Sequence, residues 1–346
     1  MRTKVSVIIP VFNSEKYIAQ CIEALINQTL EQCEFIFVND GSNDKSKNII
    51  ENYCKKDKRI ILINQENQGV STARNSGLDI ASGDYVGFVD SDDFVERDMY
   101  SFLYEKVMEN DCDVILCNFQ SDNEERTTTT RYPFRVNEKL DSDYIEEELL
   151  PYFLKADNCN TVCNKLYKNK LITEQNIRFP VGVPLGEDGM FNMIYFSHAR
   201  SARYIDYTGY HYRDVLGSAT KNILEKDYFQ RAEEVYLAKL PEIVTEKYNE
   251  TKIKEYKSHK LIRNVMSFIH LYFYSTQELT FRKRYNYVKR MVNSEHVKEA
   301  LSMQYHSLYK TVGRYERFLL DMIKRKSIAG LYCVTAYSRF RNKYGG

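Results

Sequence analysis

Three carboxylates, Asp90, Asp92 and Asp93, stand within four positions of this chain, directly after the apolar run Tyr85–Val89. Two unit charges about 4 Å apart repel by about 4 kcal/mol at an effective dielectric constant of about 20. Mg²⁺ or Mn²⁺ would offset this repulsion, because such ions bind one or two carboxylates and complete their coordination with phosphate oxygens and water. The alternative is a solvated acidic turn in which Asp93 caps the following helix.

The apolar run before the aspartates is one of several that alternate with helical patterns. The predicted strands are residues 5–9, 35–38, 60–63, 85–89 and 114–116. Continuously apolar strands separated by helices are typical of a parallel sheet covered on both faces, so the predicted fold class is α/β. Because the carboxyl ends of parallel strands meet at one edge, where open sheets bind ligands, we expect Pro10, Asp40 and the acidic cluster to line one crevice.

Weaker patterns follow the fifth predicted strand. Residues 120–135 are polar and predict a loop or weak hairpin over the crevice, and a helix resumes after Asp141. Residues 203–213 predict a further strand, and from about Leu224 the pattern is helical with dense charge.

Composition excludes several function classes. The 346 residues carry a net charge of only +1, so no overall positive field points to nucleic acid. The eight cysteines lack zinc-ligand spacing and sit mostly among apolar neighbours, which indicates free thiols in a reducing compartment. Pro10 and Asn13 interrupt the short N-terminal apolar run, and no stretch approaches the ~18 apolar residues of a membrane span. We therefore expect a cytoplasmic protein.

Four motifs in the first hundred or so residues together resemble the family 2 glycosyltransferases. The motifs are Val7–Asn13, Val38–Ser42, Asn67–Asn75 and the D-x-D-like segment Asp90–Asp93. The resemblance implies the GT-A fold, a Rossmann-like nucleotide-binding sheet with helices on both faces, followed here by a mainly helical C-terminal region. It also implies a nucleotide-sugar donor, a divalent cation (Mn²⁺ or Mg²⁺) and inversion at the anomeric carbon.

The resemblance assigns donor-binding roles to residues of the first half. Asp40 would accept a hydrogen bond from uracil, while Pro10 and Phe12 would border the base and ribose. Arg74 would oppose the donor's negative charge and hold Asp40 or Asp90. Asp90 would contact the ribose or reach the metal through water.

The metal site implied by the resemblance combines distant residues. Asp92 would bind the ion directly, and Asp93 would orient the loop. The segment Tyr210–Arg213, with Ser218 beyond it, resembles a Y-x-Y-R motif that closes over the donor phosphates. Arg213 would hold phosphate with its planar fork, and His211 is either a metal ligand or a packed, hydrogen-bonded residue.

Two motifs in the second half of the chain are expected to contact the acceptor or to act on it. Cys163–Tyr167 resembles the family's W-x-K-L-Y segment, with Cys163 in place of the tryptophan that would contact the acceptor. Lys165 would pair with a diphosphate oxygen or an acidic neighbour, or is a surface lysine. Glu187 and Asp188 are the predicted catalytic residues and precede an apolar helical stretch. The resemblance makes Asp188 the catalytic base, and helix capping, which suits both acids, is the alternative.

The expected activity is metal-dependent, inverting transfer of a sugar from a nucleotide donor, with UDP as the default, to a hydroxyl of a glycan or lipid-linked acceptor in cell-surface polysaccharide synthesis. The expected domains are a GT-A catalytic domain over residues 1–220, with a donor-binding half of about 1–120 and an acceptor half of about 121–220, and a helical region over 221–346. A catalytically inactive GT-A-like module is the alternative. A nucleotidyltransferase would need a Gly-rich phosphate loop after the first strand, and a dinucleotide oxidoreductase would need G-x-G-x-x-G there; the sequence has neither.

The chain becomes strongly basic after residue 309. The segment after residue 309 contains only two acidic residues, Glu316 and Asp321. Its nine basic residues are Lys310, Arg314, Arg317, Lys324, Arg325, Lys326, Arg339, Arg341 and Lys343. A basic amphipathic stretch can lie on an anionic leaflet, which would bring the protein to the inner face of the plasma membrane. The alternative is a helical hairpin packed on the catalytic domain. The sequence also leaves a homodimer open.

Overall fold

The computed structural model describes residues 2–122, 127–183, 186–213, 227–273 and 280–344. The chain divides into two compact units, one comprising Met1–Phe153 with Asp157–Leu216 and the other Leu154–Ala156 with Gly217–Gly346. The domain boundary expected near residue 220, together with Ser218 and Leu224, lies outside the described residues and stays a prediction.

The first unit is built on one mixed sheet whose strands run in the order β3-β2-β1-β4-β9-β6-β10-β5, with β7 added to β6 and β8 added to β10. The strands are β1 Val5–Val11, β2 Cys33–Asp40, β3 Ile60–Gln65, β4 Tyr85–Phe88, β5 Phe94–Val95, β6 Val114–Asp122, β7 Thr127–Thr130, β8 Lys139–Asp141, β9 Lys165–Lys168 and β10 Ser201–Arg213.

Helices connect these strands. They are α1 Ile18–Ile26, α2 Ser46–Cys54, α3 Val70–Ile80, α4 Met99–Met108, α5 Ser142–Tyr144, α6 Leu150–Lys155, α7 Asn169–Glu174 and α8 Glu187–His198, with a π-helical segment Ile145–Leu149 between α5 and α6. The predicted α/β architecture is confirmed.

The parallel strands β1, β2, β3 and β4 form the part of the sheet that the apolar pattern predicts. β1 runs to Val11, past the predicted stop at Pro10. Its pairing with β4 ends at Ile8 while its pairing with β2 continues to Val11, so the proline lies where one neighbouring ladder has already ended. A residue without an N–H group is tolerated at such an edge position.

The centre of the sheet differs from the all-parallel arrangement expected from the sequence. β9 lies between β4 and β6 and is antiparallel to both. This short strand begins and ends with a lysine, so it does not form the continuous apolar run by which a buried strand is predicted from sequence. Residues 203–213 do form a strand, β10, which pairs in parallel with β6, and β6 with β7 forms the expected hairpin outside residues 123–126.

The second unit is helical in its described part. Its helices are α9 Tyr228–Leu237, α10 Glu242–Lys247, α11 Glu250–Phe273, α12 Phe281–Asn293, α13 Glu295–Thr311, α14 Arg314–Lys324 and α15 Ile328–Tyr344. A separate core joins α9 and α11–α15, and Leu319, Leu320, Ile323 and Leu331 of the basic tail belong to it. These residues are therefore committed to internal packing and are not available to insert into a bilayer.

None of the helices in the described ranges combines the length and apolarity that crossing a bilayer requires.

Candidate active site

Three of the predicted crevice elements do end at one edge of the sheet. Because β1 is parallel to both β2 and β4, residues 10–12, Asp40 and the acidic cluster after Phe88 lie at or just after the carboxyl ends of strands that point the same way. Pro10 is buried, whereas Phe12 is 49% exposed just beyond the strand. An exposed aromatic ring at a strand end is available to border a ligand.

Asp40 organises the turn that leads into α3. Its Oδ1 accepts hydrogen bonds from Gln65 Nε2 at 2.8 Å and Gln68 N at 2.9 Å, and its Oδ2 accepts one from Gly69 N at 2.8 Å. Gly69 has φ 88°, a conformation that favours glycine, and it begins the helix. A carboxylate has about four acceptor positions, so one remains after these three bonds.

Arg74, on the buried face of α3, joins two predicted site acids. Its Nη2 lies 2.9 Å from Asp90 Oδ1 and its Nη1 lies 2.6 Å from Asp188 Oδ1, while Glu187 Oε1 is 3.6 Å from Nη1. Burial opposes the charge of Arg74, but Asp188 and Asp90 outweigh that effect and raise its pKa. Of the two partners expected for Arg74, the structure gives it Asp90, and Asp40 bonds to the 65–69 turn instead.

The close approach of α3 to the sheet depends on Gly77. A Cβ atom at this position would lie 2.4 Å from Ile8 Cγ2 of β1, so a larger residue would push the helix away. Arg74 is one helical turn earlier on α3, and the ring of Phe179 lies 5.2 Å from its guanidinium carbon. Glycine packing therefore helps to fix the position of the arginine.

Asp188 lies in the first turn of α8, where the helix dipole favours negative charge. Besides Arg74, its carboxylate accepts a hydrogen bond from Val162 N at 3.3 Å. Burial raises the pKa of Asp188 to about 6, against the lowering effect of Arg74 and with smaller raising effects from Glu187 and Asp90. A carboxylate with a pKa near neutrality can take up a proton during a reaction.

Asp93 is a structural member of the acidic cluster. It is fully buried, and it accepts hydrogen bonds from Tyr210 Oη at 2.5 Å and Arg213 N at 2.8 Å. Burial, followed by the charges of Asp90 and Asp92, raises the pKa of Asp93 to about 8. These bonds tie the acidic loop to β10.

Asp92 has a different environment. Burial and the charge of Asp90 raise the pKa of its carboxyl to about 6, while Arg213 lowers it. No group of three or more His, Cys, Asp or Glu side chains within the described ranges is arranged to hold a metal ion. A pair of carboxylates nevertheless fits Mg²⁺ or Mn²⁺, because these ions fill their remaining positions with phosphate oxygens and water. Asp92 and Asp90 are the residues that would hold such an ion.

His211 has the packed role that the sequence left open, and the geometry does not favour the metal-ligand role. Its ring stacks on Phe94 with centroids 4.6 Å apart. Nε2 lies 2.8 Å from Glu96 Oε1, and Nδ1 lies 3.4 Å from Gln120 Nε2. Both ring nitrogens are thus close to polar groups outside the Asp90–Asp93 cluster.

Arg213 is placed to contact an anion. Its guanidinium carbon lies 5.2 Å from the ring centre of Tyr17 and 5.4 Å from that of Phe94. Its Nη2 is buried without a hydrogen-bond partner among the described residues. An unpaired buried N–H group is costly, and a phosphate oxygen would satisfy it.

Lys165 does not reach the crevice, so its assignment to the donor phosphates and the alternative of a surface lysine are both corrected. The side chain is fully buried, and Nζ donates to Cys159 O at 3.0 Å, Thr161 O at 2.5 Å and Asn164 Oδ1 at 2.9 Å. Because all three N–H groups have acceptors, Lys165 fastens the loop that presents Val162 N to Asp188.

Cys163, at the position expected for an acceptor-contacting tryptophan, is only 1% exposed. Burial, with the charge of Asp90, raises the pKa of its thiol well above the ordinary range, so the thiol is neutral. Sequence reasoning did not identify the rings that flank the two arginines, which are Tyr17, Phe94 and Phe179. No local signal marks them, because each is an ordinary apolar position in its own segment.

Comparisons with known proteins identify relatives of this chain. The family model described as Glycosyl transferase family 2 matches residues 6–172. The uncharacterized glycosyltransferase EpsJ of Bacillus subtilis (strain 168) is 34% identical over 236 residues, which cover 68% of this chain and 68% of EpsJ. The poly(ribitol-phosphate) beta-glucosyltransferase of Bacillus spizizenii is 31% identical over 194 residues, covering 55% of this chain but only 29% of that longer protein.

The fold is shared with a solved structure. The crystal structure of S. aureus TarS 1–349 in complex with UDP-GlcNAc superposes with a TM-score of 0.64 at 20% sequence identity, covering 97% of this chain and 92% of that one. The likeness confirms the predicted GT-A fold. The matches to EpsJ and to the family model lead to the conclusion that the chain is a glycosyltransferase and belongs to glycosyl transferase family 2.

Proposed function

We propose that this enzyme is a metal-dependent, inverting glycosyltransferase that moves a sugar from a UDP-linked donor to a hydroxyl of a cell-surface glycan or lipid-linked acceptor. The observation that carries the proposal is the pairing of Arg74 with both Asp90 and Asp188. It holds an acid of the D-x-D-like segment and an acid suited to base catalysis beside one guanidinium.

UDP recognition is assigned to the edge formed by β1 and β2. Asp40 keeps one acceptor position for the N–H group of uracil after its three protein bonds. The exposed ring of Phe12 and the buried Pro10 would border the base and ribose. The complex of S. aureus TarS with UDP-GlcNAc supports a UDP-sugar donor for this fold.

The divalent cation is assigned to Asp92, with Asp90 as its neighbour. The raised pKa of Asp92 supports this assignment, because a carboxylate destabilised by burial and by a second acid gains most from a cation. A bound Mg²⁺ or Mn²⁺ would neutralise charge on the donor diphosphate.

Asp188 is assigned as the general base. An acceptor hydroxyl is a weak nucleophile until its proton is removed, and such assistance contributes about 10²–10⁴ in rate. Glu187 contributes indirectly, because its charge helps to raise the pKa of Asp188 to about 6. Direct attack on the anomeric carbon from the side opposite the nucleotide inverts its configuration.

Arg213 is assigned to the leaving diphosphate. Its buried Nη2 has no partner within the described part of the chain, and its flanking rings hold the guanidinium in place. Preorganised donors of this kind stabilise charge that develops during the reaction.

The acceptor class is the part of the proposal that rests on relatives. The poly(ribitol-phosphate) beta-glucosyltransferase of B. spizizenii and the B. subtilis minor teichoic acid biosynthesis protein GgaB are named for cell-wall polymers. The shared family supports a cell-surface acceptor for this chain, and the buried Cys163 indicates that acceptor contacts come from other residues.

A two-stage experiment tests the proposal. Thermal shift with a panel of nucleotide sugars and Mn²⁺ identifies the donor, and transfer of the labelled sugar to cell-wall glycan or lipid-linked acceptors then measures activity. We expect stabilisation by one UDP-sugar and metal-dependent transfer that Asp188→Asn abolishes. Binding without transfer or hydrolysis would favour the inactive-module alternative, and preference for a non-UDP donor would contradict the role of Asp40.

We further propose peripheral contact with an anionic membrane at the cytoplasmic face. The large exposed aromatic residues of α15 support this contact, with Tyr337 65% exposed and Phe340 64% exposed beside Arg341. Aromatic rings next to basic residues are typical of interfacial anchors. All eight cysteines are free thiols, which suits a reducing compartment.

Flotation with phosphatidylglycerol vesicles tests the membrane contact. The double variant Tyr337→Ser/Phe340→Ser should float less than the wild type, whereas Val181→Ser, an exposed apolar residue of the first unit, should not change flotation. Equal flotation of the double variant and the wild type would contradict the contact. Removing α14 and α15 is a poorer test, because their residues belong to the core of the helical unit. The homodimer left open by the sequence stays a prediction.

A further inference from the structure

A pocket of about 350 Å³ lies in the helical unit, and none of the residues assigned to glycosyl transfer is in its lining. The junction of α12 and α13 forms one wall, and the C-terminal end of α14 forms the other. Val297, Leu301 and Ile323 line its inner part and are nearly fully buried. The volume falls in the range of about 300–1,000 Å³ that is usual for small-molecule sites.

The rim of this pocket is cationic. Lys298, Lys324 and Lys326 line it, and no Asp or Glu is among the described residues that line it. The nearby carboxylate of Glu295 pairs with Lys298 at 3.3 Å, on the exposed surface. The described lining therefore carries three ammonium groups and no carboxylate, which favours an anionic ligand.

An oriented tyrosine supports the rim. Tyr305 Oη donates to Asp321 Oδ1 at 2.5 Å, which fixes the ring and engages that carboxylate. Lys324 Nζ lies 3.8 Å from the centre of the same ring. A cation held against an aromatic face is partly preorganised, so less side-chain entropy is lost when it contacts a ligand.

Lys326 adopts a left-handed backbone conformation, which is unfavourable for a residue with a Cβ atom. The helix α14 ends in a Schellman motif, in which Lys326 N donates to Ile323 O and Ser327 N donates to Met322 O, both at 2.9 Å. Lys326 has φ 53°, and glycine is the usual residue at this position because it has no Cβ. Strain of this kind at a residue that lines a pocket leads to a hypothesis of function.

We propose that the pocket binds the phosphate group of an organic phosphate ester, with Lys298, Lys324 and Lys326 as its cationic contacts. Lysine is a compact charge that suits phosphate, and each of the three ammonium groups can donate to its oxygens. The buried aliphatic residues would contact the carbon part of the ester. The inference does not depend on the proposed glycosyl transfer, because none of these residues is assigned to it.

Isothermal titration of the full chain tests the pocket, with glycerol phosphate and dodecyl phosphate as probes at constant ionic strength. We expect saturable one-site binding of at least one probe. Lys326→Gln and Lys324→Gln should each weaken that binding about tenfold, the effect of losing one charge-assisted hydrogen bond. Lys310→Gln, an exposed lysine of α13 outside the lining, is the matched control and should bind normally.

Lys326→Gly separates binding from folding. It removes the strained side chain, so it should raise the melting temperature while it weakens probe binding as much as Lys326→Gln does. Preference for glycerol phosphate would identify a soluble ligand, and preference for dodecyl phosphate would identify a lipid-linked one; both results support the pocket. The proposal would be overturned if neither probe bound, or if Lys310→Gln weakened probe binding as much as Lys326→Gln and Lys324→Gln.

Discussion

Arg74 and Asp188 are 114 positions apart in the chain, yet Arg74 Nη1 lies 2.6 Å from Asp188 Oδ1. The other terminal nitrogen of the same guanidinium contacts Asp90. The acid assigned as the base and an acid assigned to the metal side of the site therefore share one buried cation. A change at Arg74 should affect both, which makes it the most informative position for testing the assignments.

Replacing Asp188 by Asn should abolish transfer and preserve donor binding. The amide cannot accept the acceptor's proton, so kcat should fall by about 10²–10⁴ or more. Titration of UDP with Mn²⁺ should give nearly the wild-type Kd. Glu187→Gln is the matched control, because Glu187 is not the residue assigned as the base, and it should lose far less activity. Equal turnover in Asp188→Asn and the wild type would remove Asp188 from the base role.

Arg74 should set the acid limb of the pH–rate profile. The base works when deprotonated, so kcat/KM should fall as the pH drops below about 6, the pKa of Asp188. Arg74 lowers that pKa, so Arg74→Gln should move the limb to higher pH and lose more activity near neutrality than in alkaline solution. Arg74→Lys keeps the charge and should shift the limb less. An unshifted limb in Arg74→Gln would show that another group controls it.

Asp92→Asn should remove the metal-dependent part of donor binding. In titrations of UDP, Mn²⁺ should raise the affinity of the wild type for UDP by about tenfold or more. The variant should show no such gain. Both proteins should bind UDP equally in EDTA, because Asp92 would act through the ion. A gain with Mn²⁺ that survives in Asp92→Asn would place the metal on other ligands.

Lys165→Met should harm both stability and turnover. The methionine fits the space of the lysine stem, but the carbonyls of Cys159 and Thr161 and the amide of Asn164 lose their donor. Unsatisfied buried acceptors should cost about 2–5 kcal/mol in the free energy of unfolding, measured by urea titration. We also expect kcat to fall more than the donor Kd rises, since the loop that holds Asp188 loosens.

Lys168→Met is the control for this prediction. Lys168 pairs with Asp111 at 2.7 Å near the surface, and such pairs are worth about 0–1 kcal/mol. A Lys165→Met protein as stable and as active as Lys168→Met would contradict the fastening role.

Asp93 should make the metal-free protein less stable as the pH rises. Its folded-state pKa of about 8 lies above the ordinary value of 3.8, so the folded state binds the proton more tightly and loses that advantage between about pH 4 and 8. Asp93→Asn keeps a neutral hydrogen-bonding group, so its melting temperature relative to the wild type should increase across this range. A difference between the two proteins that is constant with pH would contradict the raised pKa.

The sequence predicted the first half of the fold well because its strands are continuously apolar. Residues 35–38 and 60–63 lie within β2 and β3, and the residues between them show helical spacing. The antiparallel insertion of β9 could not be predicted, since strand direction depends on which neighbours a segment meets. The apolar face of the basic tail was likewise ambiguous, because packing in a helical core and contact with a membrane require the same pattern.

For the candidate site, too, some features could be predicted from the sequence and others only from the structure. The resemblance to the family 2 glycosyltransferases singled out Asp40, Asp90, Asp92 and Asp188, because several motifs in one order are more specific than any one of them. Only the tertiary structure decided what each side chain contacts. It buried Lys165 among carbonyls, stacked His211 on Phe94 and placed Arg74 between two acids, because burial and hydrogen-bond partners come from segments that are far apart in the chain.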